Sequence, residues 1–236
     1  MKRVFPLLLV FLLVFVGVTS EASAATFKDT PKSYRFFNEI NYLSTEGVIS
    51  GYPDGRFQPE KPVTRAAAAI MIGRAINLDG TQRKTKFPDV SPKSAAAGYI
   101  QSAVDAGIIS GYPTGEFRPD SAVSRAELAI FLTRAFKFEK SSTETFKDVL
   151  PHMASYQYVQ KLVGENITSG FADGTYRPDT AVTRGQFSAF MARTLDDKFK
   201  PKTDILELSW QGNIEKIEDV TVLQEETKSS KEKAVR

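Results

Sequence analysis

One pattern written three times constrains this chain more than any other feature. Copy one reads Gly51-Tyr52-Pro53-Asp54-Gly55-Arg56-Phe57-Gln58-Pro59, then Val63-Thr64-Arg65-Ala66. Copy two reads Gly111-Tyr112-Pro113-Thr114-Gly115-Glu116-Phe117-Arg118-Pro119, then Val123-Ser124-Arg125-Ala126. Copy three reads Gly170-Phe171-Ala172-Asp173-Gly174-Thr175-Tyr176-Arg177-Pro178, then Val182-Thr183-Arg184-Gly185. The arginines stand 60 and 59 residues apart (125 − 65 and 184 − 125). A repeat of this kind marks a stacked array whose units share a core, because one unit has too little apolar surface to stand alone.

Each copy opens on a Phe-x-Asp: Phe27-Lys28-Asp29, Phe87-Pro88-Asp89 and Phe146-Lys147-Asp148. A first helix is expected between that motif and the loop. Phe36, Phe37, Ile40 and Leu43 recur at helical spacing in copy one, as do Ala96, Tyr99, Ile100, Ala103 and Val104 in copy two. Copy three offers Tyr156, Tyr158, Val159 and Leu162. The loop is punctuated by Pro and Gly, with Asp54-Gly55 and Asp173-Gly174 as turn dipeptides in which Gly takes positive φ freely. The aromatic after the turn (Phe57, Phe117, Tyr176) is expected to pin the loop to the helices.

A second helix then starts at Thr64, Ser124 or Thr183, since hydroxyl side chains are favoured N-caps. Ser124-Arg125-Ala126-Glu127 and Thr183-Arg184-Gly185-Gln186 fit a capping box, whereas Ala67 breaks it in copy one. The units expected are 25–80, 81–141 and 142–199, each helix, ordered loop, helix, giving an all-α chain.

Composition narrows the function. The formal charge of the 236 residues is +3, and the first 24 contribute +1 through Lys2, Arg3 and Glu21. Neither +3 nor the +2 left without those residues (3 − 1) is a polyanion-binding signature, so no nucleic-acid partner is expected. The chain has no cysteine and one histidine, His152. Disulfides, thiolate metal sites and a Ser-His-Asp triad repeated in each unit are therefore excluded. The Asp-Gly turns lack EF-hand ligand spacing, so no calcium or other metal is expected, and no cofactor.

At the N-terminus, Lys2 and Arg3 precede an apolar run from Val4 to Val18, followed by Ala22-Ser23-Ala24. This is the order of a secretory signal peptide over 1–24 with cleavage before Ala25. The run is shorter than the ~20 residues a membrane span needs. The expectation is a secreted protein with no membrane contact after cleavage. In the tail, 200–236, two short strands are expected at Ile205–Trp210 and Val220–Leu223, and disorder from Glu225.

The arginine position is the physical anomaly. A cation at the first residue of a helix is mildly unfavourable against the helix dipole, by a few tenths of about one kcal/mol. Arg65, Arg125 and Arg184 nonetheless hold it three times. Two readings stand. In one, free helix N–H groups and the guanidinium converge on an anionic ligand, a carboxylate or a phosphate. In the other, the arginine pairs with Asp29, Asp89 or Asp148 and locks the repeat.

The combined pattern of Phe-x-Asp, Gly-Tyr-Pro-Asp-Gly-x-Phe-x-Pro and Val-Thr-Arg-Ala resembles the S-layer homology domain, in three tandem copies covering about 27–196. That resemblance implies a pseudo-threefold fold with a central three-helix bundle, one helix per repeat, and three prongs. It implies a ligand, a secondary cell-wall polysaccharide linked to peptidoglycan and often capped by a pyruvylated amino sugar, bound in grooves between repeats. Carried over residue by residue, it implies ligand contacts at Arg65, Arg125 and Arg184. The Asp54-Gly55, Thr114-Gly115 and Asp173-Gly174 turns would help line the grooves. Tyr52, Tyr112 and Phe171 are candidate platforms for a sugar face, with loop packing as the alternative. Thr114 departs from the expected loop Asp, and Ala67 from the expected acidic residue.

The resulting expectation is a non-enzymatic, monomeric anchor at the cell wall or cell surface. The alternatives are a wall hydrolase using carboxylates such as Asp29 or Glu127, and a structural or adhesive surface protein acting through its tail.

Overall fold

The computed structural model describes residues 27–201. The expected signal peptide and all but the first two residues of the tail, including both expected strands, lie outside them. Six helices follow one another: α1 (Phe37–Thr45), α2 (Arg65–Ala75), α3 (Ala97–Asp105), α4 (Arg125–Phe136), α5 (Tyr156–Gly164) and α6 (Arg184–Leu195). A short 3-10 turn, Asp197–Phe199, comes after α6. Among the described residues the fold is all-α, with isolated β-bridges but no strand.

The first helix of each repeat is short and one-sided. It buries Ile40 and Leu43 in α1, Ala97, Ile100 and Ala103 in α3, and Val159 and Leu162 in α5. Each then stops on a residue with positive φ: Gly47, Gly107 and Asn166. That left-handed step turns the chain back, so the next amides, Val48, Ile108 and Ile167, donate to the carbonyls of Leu43, Ala103 and Leu162. Asn166 serves in copy three because asparagine tolerates the left-handed region better than most residues.

The loop is held by the aspartate that opens each repeat. Both carboxylate oxygens of Asp29 accept backbone N–H bonds, from Phe57 and Gln58, each at 2.7 Å. Asp89 does the same for Phe117 and Arg118, and Asp148 for Tyr176 and Arg177. The second amide in each pair belongs to a non-glycine residue in the left-handed region, with φ of 58° at Gln58, 57° at Arg118 and 59° at Arg177. The charge-assisted bonds offset that local strain. The preceding aromatic is fully buried and packs at a tilt against the opening phenylalanine: Phe57 on Phe27, Phe117 on Phe87 and Tyr176 on Phe146, with centroids 5.3–5.6 Å apart.

Repeats interlock rather than sit side by side. α2 packs on α3, α4 on α5, and α6 returns to α1. Where the second helices begin, three valines close a ring of backbone bonds. Val63 donates to Val182, Val182 to Val123, and Val123 to Val63, at 2.8–2.9 Å. Antiparallel bridges Thr64–Ala122, Ser124–Ala181 and Pro62–Thr183 flank them. One apolar core runs through all three repeats, so the expected pseudo-threefold arrangement is the observed one.

Candidate functional site

The three second helices start as the sequence indicates. Thr64, Ser124 and Thr183 accept the amide of the third helical residue. The reciprocal box is present in α4 and α6 and missing in α2, where Ala67 has no side chain to return the bond. Immediately inside each cap, the arginine leaves its own repeat and enters the next. Arg65 Nε donates to the Phe117 carbonyl, Arg125 Nε to Tyr176, and Arg184 Nε to Phe57, each at 2.8 Å. Every seam of the ring therefore contains one guanidinium clamped to the neighbouring loop.

Aromatic rings surround it. Arg65 lies 4.8–5.6 Å from the centroids of Tyr112, Phe117 and Phe131. Arg125 lies 4.6–5.3 Å from Phe171, Tyr176 and Phe190. Arg184 faces Tyr52 and Phe57. Cation–π attraction strengthens as water is excluded, and Arg65 and Arg125 are only 2% and 5% exposed. Burial pushes the Arg125 guanidinium below the usual arginine range, with Arg177 adding to the effect and Tyr176 and Asp148 opposing it. Arg184 is lowered by the same cause, with Tyr52 and Asp29 opposing.

Two sequence expectations about these arginines are corrected. The helix N–H groups are not free for a ligand. The amides of Arg65 and Ala66 donate to Ser121 and Pro119, those of Arg125 and Ala126 to Thr180 and Pro178, and those of Arg184 and Gly185 to Lys61 and Pro59. Nor do Asp29, Asp89 and Asp148 form the ion pairs of the structural alternative, since each is committed to loop amides. The arginine's structural partner is a carbonyl one repeat away.

The seams differ at one position. In the Arg65 seam, Glu127 accepts from Arg65 Nη1 at 2.7 Å and from the Tyr112 hydroxyl at 3.2 Å, while its other oxygen caps Ser124 N. Arg65 Nη2 completes its set on the Ser110 carbonyl. The equivalent residue is Gln186 in the Arg125 seam and Ala67 in the Arg184 seam. Gln186 Oε1 is used on Thr183 N. Arg184 Nη2 reaches the Ser50 carbonyl. The terminal nitrogens of Arg125 have no acceptor among the described residues.

A cavity of about 180 Å³ opens beside Arg65, lined by Arg65, Ser110, Gly111, Tyr112, Glu127, Ile130, Phe131 and Arg134. It brings two expected residues, Arg65 and Tyr112, together. Thr114 and Gly115 are not in its walls. At the turn tips, Thr114 donates to Glu116, Asp54 is paired with Arg56, and Asp173 with Arg177. Gly55, Gly115 and Gly174 adopt positive φ. The candidate platforms each carry cations over the ring: Arg65 and Arg118 on Tyr112, Arg125 and Arg177 on Phe171, Lys61 and Arg184 on Tyr52. Asp29 and Glu127, the carboxylates considered for acid–base chemistry, are both bound to partners already described.

Sequence reasoning missed Arg134. It stands two helical turns beyond Glu127 on the same face of α4 and bonds the Tyr158 hydroxyl from α5 at 3.3 Å. The signal was available, because Arg74, Arg134 and Arg193 each follow their seam arginine by nine residues (74 − 65, 134 − 125, 193 − 184).

The family model for the S-layer homology domain matches residues 26–69, 86–129 and 145–188, more than half of the chain. Cell surface glycoprotein 1 of Acetivibrio thermocellus is 33% identical over 163 residues, 63% of this chain and 7% of that protein. The cellulosome-anchoring protein of the same organism is 32% identical over 158 residues, 63% of this chain and 35% of its own length. The S-layer protein sap of Bacillus anthracis is 31% identical over 209 residues, 86% of this chain and 25% of its own length. The chain thus spans about a third or less of these relatives.

Proposed function

Because the chain belongs to the S-layer homology domain family, we propose that it is a non-enzymatic, non-covalent anchor, holding itself to the cell surface by binding an acidic secondary cell-wall polysaccharide linked to peptidoglycan. The observation that carries this reading is the seam: a guanidinium held against two or three aromatic rings at each of three repeat junctions, with an open cavity beside Arg65. A pyruvate ketal on an amino sugar presents a fixed carboxylate, which suits a planar guanidinium. Arg65, Arg125 and Arg184 are the proposed charge contacts. Tyr52, Tyr112 and Phe171 are the proposed apolar walls, and Asp54-Gly55, Thr114-Gly115 and Asp173-Gly174 shape the loops that carry them. The names of the relatives, a cell-surface glycoprotein, an anchoring protein and an S-layer protein, support the surface location. One chain closes its own ring, which supports action as a monomer. Weak grooves on one chain add up through avidity.

Co-sedimentation of the protein with purified peptidoglycan sacculi tests the reading. Pelleting with sacculi that retain their polymer, and loss of pelleting after the polymer is stripped, is the expected result. Equal pelleting with both would place the ligand elsewhere.

A further inference from the structure

The spacers between repeats are straps tied across the first helices. Between repeats one and two, the Asp79 carbonyl accepts from Ser102 Oγ of α3 at 2.7 Å, and Arg83 Nη2 donates to the same hydroxyl at 2.6 Å. The Lys86 amide then donates to Gln101 Oε1 at 3.0 Å. Between repeats two and three, the Ser142 amide donates to the Gln160 carbonyl of α5 at 3.0 Å. Gln160 Nε2 donates to the Glu144 carbonyl at 2.8 Å. Gln101 and Gln160 hold the same place, 14 residues after the opening phenylalanine (101 − 87, 160 − 146). In repeat one that place is Asn41 (41 − 27), and the counterpart of Ser102 is Tyr42.

On α1, half of such a strap is present among the described residues, and it comes from the far end of the chain. Phe199 packs against Tyr42 with ring centroids 5.0 Å apart, and Lys198 Nζ lies 4.6 Å from the centre of the same ring. Lys198 follows Arg184 by 14 residues, as Asp79 follows Arg65 (198 − 184, 79 − 65). The turn after α6 therefore does on Tyr42 what Asp79 does on Ser102. The other half of the strap is made by Lys86 on Gln101 and by Glu144 on Gln160. By the same count, its counterparts in repeat one are Thr26 and Ala25. Two buried polar atoms of repeat one lie at strap positions. Asn41 Oδ1 has no partner among the described residues. Neither has the hydroxyl of Thr30, which is 1% exposed. The counterpart of Thr30 in repeat two, Val90, shares a cavity with the strap residues Lys84, Thr85 and Lys86. Gln160 holds its strap through its nitrogen alone, its oxygen being without a partner, so one bond from this side-chain amide is enough. Asn41 makes neither bond among the described residues, and a buried polar atom left unmatched is costly.

We propose that the Asn41 side-chain amide is a tether for the backbone of Ala25 and Thr26, which completes a third strap on α1. The segment before the first repeat and the segment after the third are then fastened at adjacent residues of one helix, Asn41 and Tyr42. Place and length choose this occupant. Lys198 and Phe199 already cover Tyr42, so the early part of the strap has no room to come from the N-terminal side, and only its last residues are wanted. The expected cleavage before Ala25 leaves two residues ahead of Phe27. Those two are the counterparts of the strap residues that bond Gln101 and Gln160. The inference stands apart from the anchor reading, since it concerns how the ring is closed and needs no ligand.

The test uses nitrogen-15-labelled chains released with defined N-termini, one beginning at Ala25 and one at Phe27, both running to Arg236. Each is made with Asn41 and with Asn41→Ala. In the chain from Ala25, the Thr26 amide is expected to exchange with water at least about tenfold more slowly than in its Asn41→Ala variant. Nuclear Overhauser contacts from the Asn41 amide protons should reach Ala25 and Thr26. Thermal melts read the coupling. Loss of residues 25 and 26 should lower the midpoint by about 2–4 °C when Asn41 is present and by less than about 1 °C in Asn41→Ala. An equal drop in both backgrounds, or Thr26 exchange that ignores Asn41→Ala, would overturn the tether. Contacts from Asn41 to residues beyond Pro201 would give the place to the tail and overturn the assignment to the N-terminal residues. The absence of any contact from the Asn41 amide would overturn it as well.

Discussion

The amide of Val63 donates to the carbonyl of Val182 at 2.9 Å, joining the first repeat to the third. Through it the ring closes, and with it Arg184 reaches Phe57 and α6 packs on α1. Each repeat thus lacks a partner unless both others are present. Removing residues 142–201 should therefore abolish folding of the remaining two repeats rather than shorten an array. The lost partners include buried backbone groups that cost about 1–3 kcal/mol each when left unmatched, against a total stability of about 5–15 kcal/mol for a domain. Circular dichroism of the truncated chain should show no cooperative thermal transition. A cooperative melt in the two-repeat chain would contradict the ring account.

The opening aspartates should be worth more to stability than their solvent-facing positions suggest. Asp29→Ala leaves two backbone amides without their charged acceptor and Gln58 in a strained conformation, so a loss of about 2–3 kcal/mol is expected. Asp29→Asn keeps one acceptor oxygen and should lose less. Urea denaturation of the three proteins gives the order.

Gly111 marks a second sensitive point. A Cβ at this residue would overlap the Phe87 ring and approach the Glu116 carbonyl. Phe87 is itself buried against Phe117, so it has little room to yield. Gly111→Ala should destabilise by about 1–3 kcal/mol. The same change at Gly115, where nothing lies within 4 Å of the added carbon, carries only the cost of its positive φ. Thermal melts of the pair distinguish crowding from backbone conformation.

Ala67→Glu should stabilise the fold. The glutamate restores the missing half of the capping box on Thr64 and should stabilise α2 by roughly 0.5–1 kcal/mol. A higher melting temperature by calorimetry is the expected outcome, and an unchanged one would contradict the role given to the box.

Acid should destabilise the loops, and the sign follows from two carboxyls. Asp173 is lowered to about 2 by the Thr175 hydroxyl, the Arg177 guanidinium and the Thr175 amide. For Asp89, burial pushes upward, but the amides of Phe117 and Arg118 prevail and the carboxyl ends below its usual range. A carboxyl whose folded pKa lies below its unfolded value of about 3.9 contributes stability above that pH, and the contribution fades as pH falls through the folded value. Stability measured in urea should be level in this respect from neutral pH to about 4 and decline towards pH 2. Asp89→Asn should flatten that decline.

Local chemistry was legible in the sequence, and relations across repeats were not. Thr64, Ser124 and Thr183 were recognisable as caps because a cap bonds a residue three places on. The broken box at Ala67 was legible for the same reason. Phe57, Phe117 and Tyr176 were recognisable as loop pins, since a lone aromatic after a turn must bury itself. The destination of Arg65 was hidden, because its partners are a carbonyl and a carboxylate some fifty to sixty residues away. Such a pairing exists only once the ring has closed. The double capture of loop amides by Asp29 was likewise unreadable, since it depends on a left-handed residue at Gln58 that no propensity requires. Arg134 was visible as a period of nine and passed over, because a basic residue near a helix C-terminus is already explained by the dipole.

The most direct test of the account concerns the ligand rather than the protein. Wall polysaccharide would be solubilised from sacculi, and its affinity for the protein measured by calorimetry before and after removal of its acidic substituents under mild acid. The account predicts a loss of about tenfold or more when the carboxylates go. Unchanged affinity for the neutral polymer would mean that the seam arginines serve the fold alone.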